Sequence, residues 1–266
     1  MRQAGVLVIS HGSSDEDWVE LVDEAVRGMR LSTAQPAVSC FLEAVEGRSI
    51  QDGIDLLESQ GATDLLAVPL FLSSGSTHLD EIGYALGAKS APLLPTELKP
   101  YRRKARLWLG RPIDDDPEIA EALWSKISRL SDAPEREVLL LVGHGSAEAG
   151  FRDAWQACLD GLAEKLRRLG RFGAVETATL LPDTLAVRME RCLQTYPNRG
   201  VIVAPFFLSE GYFTRRVIPR RLEGFRYRYD GQALLPHPAV SRWMERQVLT
   251  MLRELNGIDG GGYPIV

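Results

Sequence analysis

The chain has 266 residues, 45% of them hydrophobic and 25% charged, an ordinary globular composition with room for two cores of about 130 residues each. A net charge of −5 excludes a nucleic-acid or anionic-membrane partner for the molecule as a whole, since both demand a basic footprint; any cationic site has to be local. No apolar run is long enough to span a bilayer, the amino terminus has no long hydrophobic signal core, and Cys40, Cys158 and Cys192 show no CxxC spacing, so a cytoplasmic protein with reduced, buried thiols is expected.

In chain order, apolar β-branched runs alternate with helical patterns, the sign of βα units around a parallel sheet. Strands are predicted at Gly5–Ser10, Ala37–Leu42, Asp64–Leu72 and Ala105–Leu109. Between the first two, Trp18, Leu21, Val22, Ala25, Val26 and Met29 recur at the spacing of one buried helical stripe, with Ser14 and Asp17 as its start signal. Asp116-Pro117-Glu118 opens another helix, running to about Leu130: Asp can cap it, and Pro at its first position lacks only an N–H that would be unpaired there. The polar stretch Ser131–Glu137, containing Pro134, reads as a linker and places a boundary between residues 1–133 and 134–266. Beyond it come strands at Val138–Val142, Ala174–Leu180 and Gly200–Leu208, and a helix with Phe151, Trp155, Leu159, Leu162 and Leu166 on one face. A last helix at Val240–Leu255 precedes a Gly260-Gly261-Gly262 tail expected to be mobile.

The two halves repeat one another. Val6-Leu7-Val8-Ile9-Ser10-His11-Gly12-Ser13 returns as Leu139-Leu140-Leu141-Val142-Gly143-His144-Gly145-Ser146, and Val68-Pro69-Leu70-Phe71-Leu72 returns as Ala204-Pro205-Phe206-Phe207-Leu208. The offsets are 133 residues from His11 to His144 and 136 from Pro69 to Pro205. Matching order and spacing indicate a duplicated domain. The expected fold is therefore α/β, two small flavodoxin-like parallel-sheet domains facing each other across a cleft.

In such sheets the residues just past the strand ends meet along one edge, where open α/β folds bind ligands. His11 follows the first strand, Glu43 the second and His78 the third. Two imidazoles and a carboxylate suit Fe, Co, Ni or Zn better than Ca or Mg. The second half has Tyr212-Phe213-Thr214 where the first has His78, and no Glu after Leu180-Leu181-Pro182. His144 reads equally well as a turn residue, and His237, between Pro236 and Pro238, as a loop residue.

Taken together, His11-Gly12-Ser13, Phe41-Leu42-Glu43, Gly61-Ala62-Thr63 and the run from Val68 through Gly75 to His78 resemble the class II tetrapyrrole chelatases, which insert cobalt or iron into sirohydrochlorin. The resemblance covers nearly the whole chain as two fused chelatase-like domains. It implies that His11 and His78 handle the metal, with Glu43 as third ligand or proton acceptor, and that the metal is the substrate: Co2+ or Fe2+, with Ni2+ or Zn2+ as surrogates and no organic cofactor. His78 lies one residue further from Pro69 than is usual in that family, and Leu79-Asp80-Glu81-Ile82 departs from its usual run, so Glu81 becomes an additional candidate carboxylate. The second half then acts as a degenerate wall of the substrate cleft. Two fused domains already make a pseudo-dimer, so a monomer is expected. Because sirohydrochlorin is a polycarboxylate, the resemblance also implies a cationic rim, for which Arg215, Arg216, Arg220, Arg221, Arg226 and Arg228 are candidates beside the alternative of a solvated helix face; Arg102, Arg103, Lys104 and Arg106 form a weaker one. Ser13, Ser74 and Gly75, in the same loops as the histidines, are further candidate substrate contacts.

Three other functions could be read into the same residues. A phosphohistidine phosphatase would carry Arg before His-Gly, where Ser10 and Gly143 stand; a Ser13 nucleophile would need a Gly-x-Ser-x-Gly elbow, which is missing. A metal-binding or metal-delivery protein with the same ligands is the remaining alternative.

Overall fold

The structure, a computed structural model, describes residues 2–31 and 35–257, and among the described residues there are seven strands and eight α-helices. The expected Gly260-Gly261-Gly262 tail lies outside the described residues. The first repeat supplies β1 (Ala4–Ser10), α1 (Glu16–Arg27), β2 (Ala37–Phe41), α2 (Ile50–Ser59), β3 (Asp64–Pro69), α3 (Thr77–Ala85), β4 (Arg106–Leu109) and α4 (Pro117–Ile127). The second supplies β5 (Glu137–Gly145), α5 (Ala149–Gly170), β6 (Ala174–Leu181), α6 (Leu185–Thr195), β7 (Gly200–Pro205), a π-helical turn at Phe213–Val217, α7 (Ile218–Arg221) and α8 (Pro238–Leu255).

The strands form two parallel sheets, ordered β2-β1-β3-β4 and β6-β5-β7, so the repeat in sequence is a repeat in topology. Central β1 is buried along its whole length and β5 along nearly all of it. A parallel strand covered on both faces has no polar side to alternate with, hence the unbroken runs Val6–Ile9 and Val138–Val142. Under one face of the first sheet pack Leu7, Ile9, Ile50, Ile54, Leu57 and Leu65; under one face of the second, Val138, Leu140, Val142, Met189, Val201 and Val203. Beside β7, where β4 stands in the first sheet, there is a one-residue parallel bridge from Ile202 to Arg228. Among the described residues no helix is long and apolar enough to cross a membrane.

Two local expectations shift. Helix α1 starts one residue later than Ser14 suggested, because the Asp15 carboxylate accepts the Asp17 N–H at 3.1 Å. β3 and β7 stop at Pro69 and Pro205 although the apolar run continues, because the Phe71 N–H turns back to the Pro69 carbonyl (2.8 Å); the following residues are buried as a turn, which periodicity does not distinguish from strand.

The chain packs into two units that do not follow a single cut between residues 133 and 134. One is built on Met1–Phe71, Thr77–Pro112 and the chain from Val240; the other on Leu72–Ser76 and Ile113–Ala239. Helix α4, at the end of the first repeat, packs on α5 of the second, with Trp124 edge-on to Phe172 at 5.5 Å. Helix α8 packs with the first sheet's helices, where the Ser241 hydroxyl donates to the Ala25 carbonyl at 2.8 Å. An amphipathic stripe shows that a helix must bury a face but not against which sheet, so this exchange has no signature in the sequence.

Candidate functional site

The order β2-β1-β3 sets His11 on the central strand between the Glu43 loop and the His78 helix. The β1–β2 ladder runs on past the strand ends: Leu42 N–H donates to Ser10 O (2.9 Å) and Glu43 N–H to His11 O (3.0 Å). Such closeness leaves no space for a side chain between them. Gly12 has φ +98°, and a Cβ there would lie 1.9 Å from the Glu43 carbonyl oxygen, so glycine is needed both for the conformation and for the approach. The return of the Glu43 loop is clamped by Arg48, whose backbone carbonyl accepts the Phe41 N–H and whose guanidinium forks onto Asp23 of α1 at 2.9 and 2.6 Å.

His11 and His78 meet edge to face with ring centroids 4.6 Å apart. His11 Nδ1 lies 3.1 Å from the Gly12 carbonyl and His78 Nδ1 lies 2.8 Å from Glu81 Oε1; both partners are acceptors, so each Nδ1 is placed to donate. Glu43 Oε1 stands 3.5 Å from His11 Nε2, and the side chains of His11, Glu43 and His78 are 41%, 62% and 38% exposed, which leaves the pair open to a large ligand. Among the described residues no three His, Cys, Asp or Glu side chains are gathered into a ready-made metal-binding group. Of the expected three-ligand set, the two imidazoles are in contact and Glu43 stands at the edge of the pair. Glu81 is not free as a ligand: its other oxygen accepts the Thr96 hydroxyl at 2.7 Å.

The second sheet keeps the scaffold of this site and loses its chemistry. Gly145 has φ +80°, and its Cβ would lie 2.0 Å from the Leu181 carbonyl, so Leu181 occupies the place of Glu43. Phe213 lies edge to face with His144 at 5.1 Å, the counterpart of the His11–His78 pair, and stacks on Phe207 at 5.7 Å. Carboxylate and second imidazole have both become hydrocarbon. Phe213 thus stands against His144 as His78 stands against His11.

The remaining candidates separate. Ser13 and Ser74 are partly or fully exposed; the Ser13 hydroxyl accepts the Asp15 N–H, and the Ser74 N–H donates to Asp114. Gly75 is buried against α5, where a Cβ would meet the Phe151 carbonyl at 2.3 Å and the Trp155 backbone nitrogen at 2.6 Å, so packing accounts for this glycine and it presents no face to a ligand. His237 Nδ1 accepts the Ala239 N–H at the start of α8, a structural role.

The arginine run is not one surface. Arg228 is tied to Asp132 and Glu137, Arg221 to Asp183 and the Leu180 carbonyl, and Arg215 to Glu210. Among the described residues no ion pair engages Arg216 or Arg220, which line an open cleft of about 870 Å³ together with Tyr212, Arg215, Pro219 and Arg221. Arg103 and Arg106 of the weaker candidate are structural, bound to Leu86 and Ala105 carbonyls and to Asp64. Thr96 and Asp80 were missed in the sequence. Asp80, buried, pairs with Lys89 and accepts the Leu93 and Leu94 N–H groups; burial pushes its carboxyl up, but these partners outweigh it and hold it below the usual range.

Comparison with known proteins gives a consistent picture. A sirohydrochlorin ferrochelatase from Priestia megaterium is 27% identical over 218 residues, 80% of this chain and 76% of that protein. A sirohydrochlorin cobaltochelatase from the same organism is 23% identical over 80% of this chain and 66% of its own length. The structure of SirB from Bacillus subtilis with Fe3+ superposes with a TM-score of 0.73 at 21% identity, covering 97% of this chain and 98% of that one, and a cobalt complex of SirB from Bacillus subtilis subspecies spizizenii gives 0.70 at 20% identity over 100% of both. The CbiX family model matches residues 5–130 and again 138–250, one match to each repeat, and the chain belongs to the CbiX family.

Proposed function

We propose that this protein is a sirohydrochlorin chelatase, inserting Co2+ or Fe2+ into the tetrapyrrole. The observation that carries the reading is the His11–His78 pair, two partly exposed imidazoles in contact, with Glu43 beside His11 Nε2. Insertion requires a weakly held ion on one face of the ring and acceptors for two pyrrole protons. His11 and His78 bind the ion and take up protons; Glu43 balances charge as third ligand or proton acceptor. Arg216 and Arg220 are the candidate partners of the substrate's carboxylates, with Arg215 a weaker one because Glu210 competes for it, and Ser13 follows His11 by two residues as Ser74 precedes His78 by four. The second half serves as a degenerate partner of the first. A cytoplasmic monomer is the accompanying proposal, supported by three free buried cysteines and by a duplication that supplies both halves in one chain.

A metal-delivery protein is the second reading. The cleft lined by Arg216 and Arg220 beside a Tyr212 that is 70% exposed speaks for insertion, since a protein that handles bare ions has no use for an aromatic, cationic surface. Mixing the protein with sirohydrochlorin and Co2+ or Fe2+ in parallel and following the absorption bands tests the choice. Insertion well above the uncatalysed rate with at least one ion is expected. Ion binding with insertion at background would select the delivery reading.

A further inference from the structure

The contact on the far side of His78 is the least expected feature of the site. Leu98 N–H donates to the Thr96 hydroxyl at 3.1 Å, the hydroxyl donates to Glu81 Oε2 at 2.7 Å, and Glu81 Oε1 accepts His78 Nδ1–H at 2.8 Å. Each group in this chain has its direction fixed by the one before it: Thr96 accepts from the backbone and so must donate to Glu81, and Glu81 accepts from both sides. Thr96 is itself held in place, because Asp80 pins the preceding residues through Lys89, Leu93 and Leu94. Among the described residues His11 has no such support; its Nδ1 meets the neighbouring Gly12 carbonyl. The second repeat supplies an independent observation. Three residues after Phe213 stands Arg216, as Glu81 stands three after His78, so the copy that lost the imidazole also lost the carboxylate behind it.

We propose that Glu81, oriented by Thr96, is a positioning residue: it holds His78 in the Nδ1–H tautomer with Nε2 turned toward the incoming divalent ion, and is not itself a ligand. This rests on the reading of His78 as a ligand. Outer partners of metal-binding histidines fix ring orientation and tautomer, and their loss costs about 10–100-fold in metal affinity.

The test uses the full-length, metal-free protein with 15N-labelled histidine, followed by titration with Co2+ alone. In the parent, the His78 signals should report the Nδ1–H tautomer. In Glu81→Ala they should move to a mixture containing Nε2–H, with Co2+ affinity lower by about 10–100-fold and sirohydrochlorin affinity unchanged. Glu81→Gln, whose amide oxygen can still accept, should recover part of both, and Thr96→Val should move both in the same direction by less. An unchanged tautomer or an unchanged Co2+ affinity in Glu81→Ala overturns the proposal, as does a loss in Glu81→Gln equal to that in Glu81→Ala with the parental tautomer retained, which would make Glu81 a direct ligand. The His78→Ala control separates the two levels: if it too leaves Co2+ binding unchanged, the reading of the site fails; if only Glu81→Ala does, the positioning role alone fails.

Discussion

Gly12 brings the Glu43 carboxylate to His11, and its substitution gives a direct reading of how tightly the site is built. With φ +98° and a Cβ that would sit 1.9 Å from the Glu43 carbonyl, Gly12→Ala should cost on the order of 1–3 kcal/mol of stability and slow metal insertion together, measured by urea unfolding and by the absorption assay. Parental stability would mean that the 42–48 loop moves aside freely and that Glu43 is not held at the pair. At this scale the sequence was informative where chemistry and strand ends coincide: His11, Glu43 and His78 each follow an apolar strand, and the missing partners of His144 could be read from Leu181 and Phe213. Thr96 left no signal. It lies 15 residues beyond Glu81 in a segment without periodicity, and only the Asp80 contacts bring it back.

The polar stretch read as a linker is held from below by one buried carboxylate. Glu137 Oε1 accepts the Asp132 and Ala133 N–H groups at 3.1 Å each, and Arg228 closes the group from the chain beside β7. Burial pushes the Glu137 carboxyl up, but Ser131, Arg228 and the two backbone donors outweigh it and hold it below the usual carboxylate range. A group whose pKa is depressed on folding stabilises fully above its unfolded value, about 4.3, and loses that contribution as pH falls through the lower folded value. The parent should therefore lose stability more steeply than Glu137→Gln as pH is lowered from about 5 toward 3, read from urea midpoints at each pH. Parallel slopes would contradict this assignment. Elements were otherwise legible in proportion to their local signals: Asp116-Pro117 opens α4 as predicted, while α2 begins at a Ser49–Asp52 capping box that went unread. Which sheet α4 and α8 cover was beyond reach, because it depends on contacts distant in sequence, 48 residues for Trp124 with Phe172 and 216 for Ser241 with Ala25.

Across the whole chain, one duplicated scaffold carries two chemistries: a His pair backed by carboxylates after β1 and β3, and hydrocarbon with a run of arginines after β5 and β7. The repeat, the parallel sheets and the asymmetry between the copies were all visible in the sequence, since each rests on residue identity at matched positions. The division of the arginines was not, as it depends on which of them find carboxylates. In a molecule of net charge −5, a local cationic cleft draws an anion through a field that salt screens over roughly 10 Å at 0.1 M. Arg216→Gln combined with Arg220→Gln should therefore weaken sirohydrochlorin binding and flatten its salt dependence while leaving Co2+ binding unchanged. Equal affinity and an equal salt slope would return both to an ordinary solvated face. The central claim, that metal is handled by the first copy alone, is tested most directly by insertion rates of His11→Ala, His78→Ala and His144→Ala side by side with Co2+ and Fe2+. The first two should lose most of the activity with the fold intact, and the third should stay near the parent. Near-parental rates in His11→Ala and His78→Ala, or a loss in His144→Ala as severe as theirs, would contradict it.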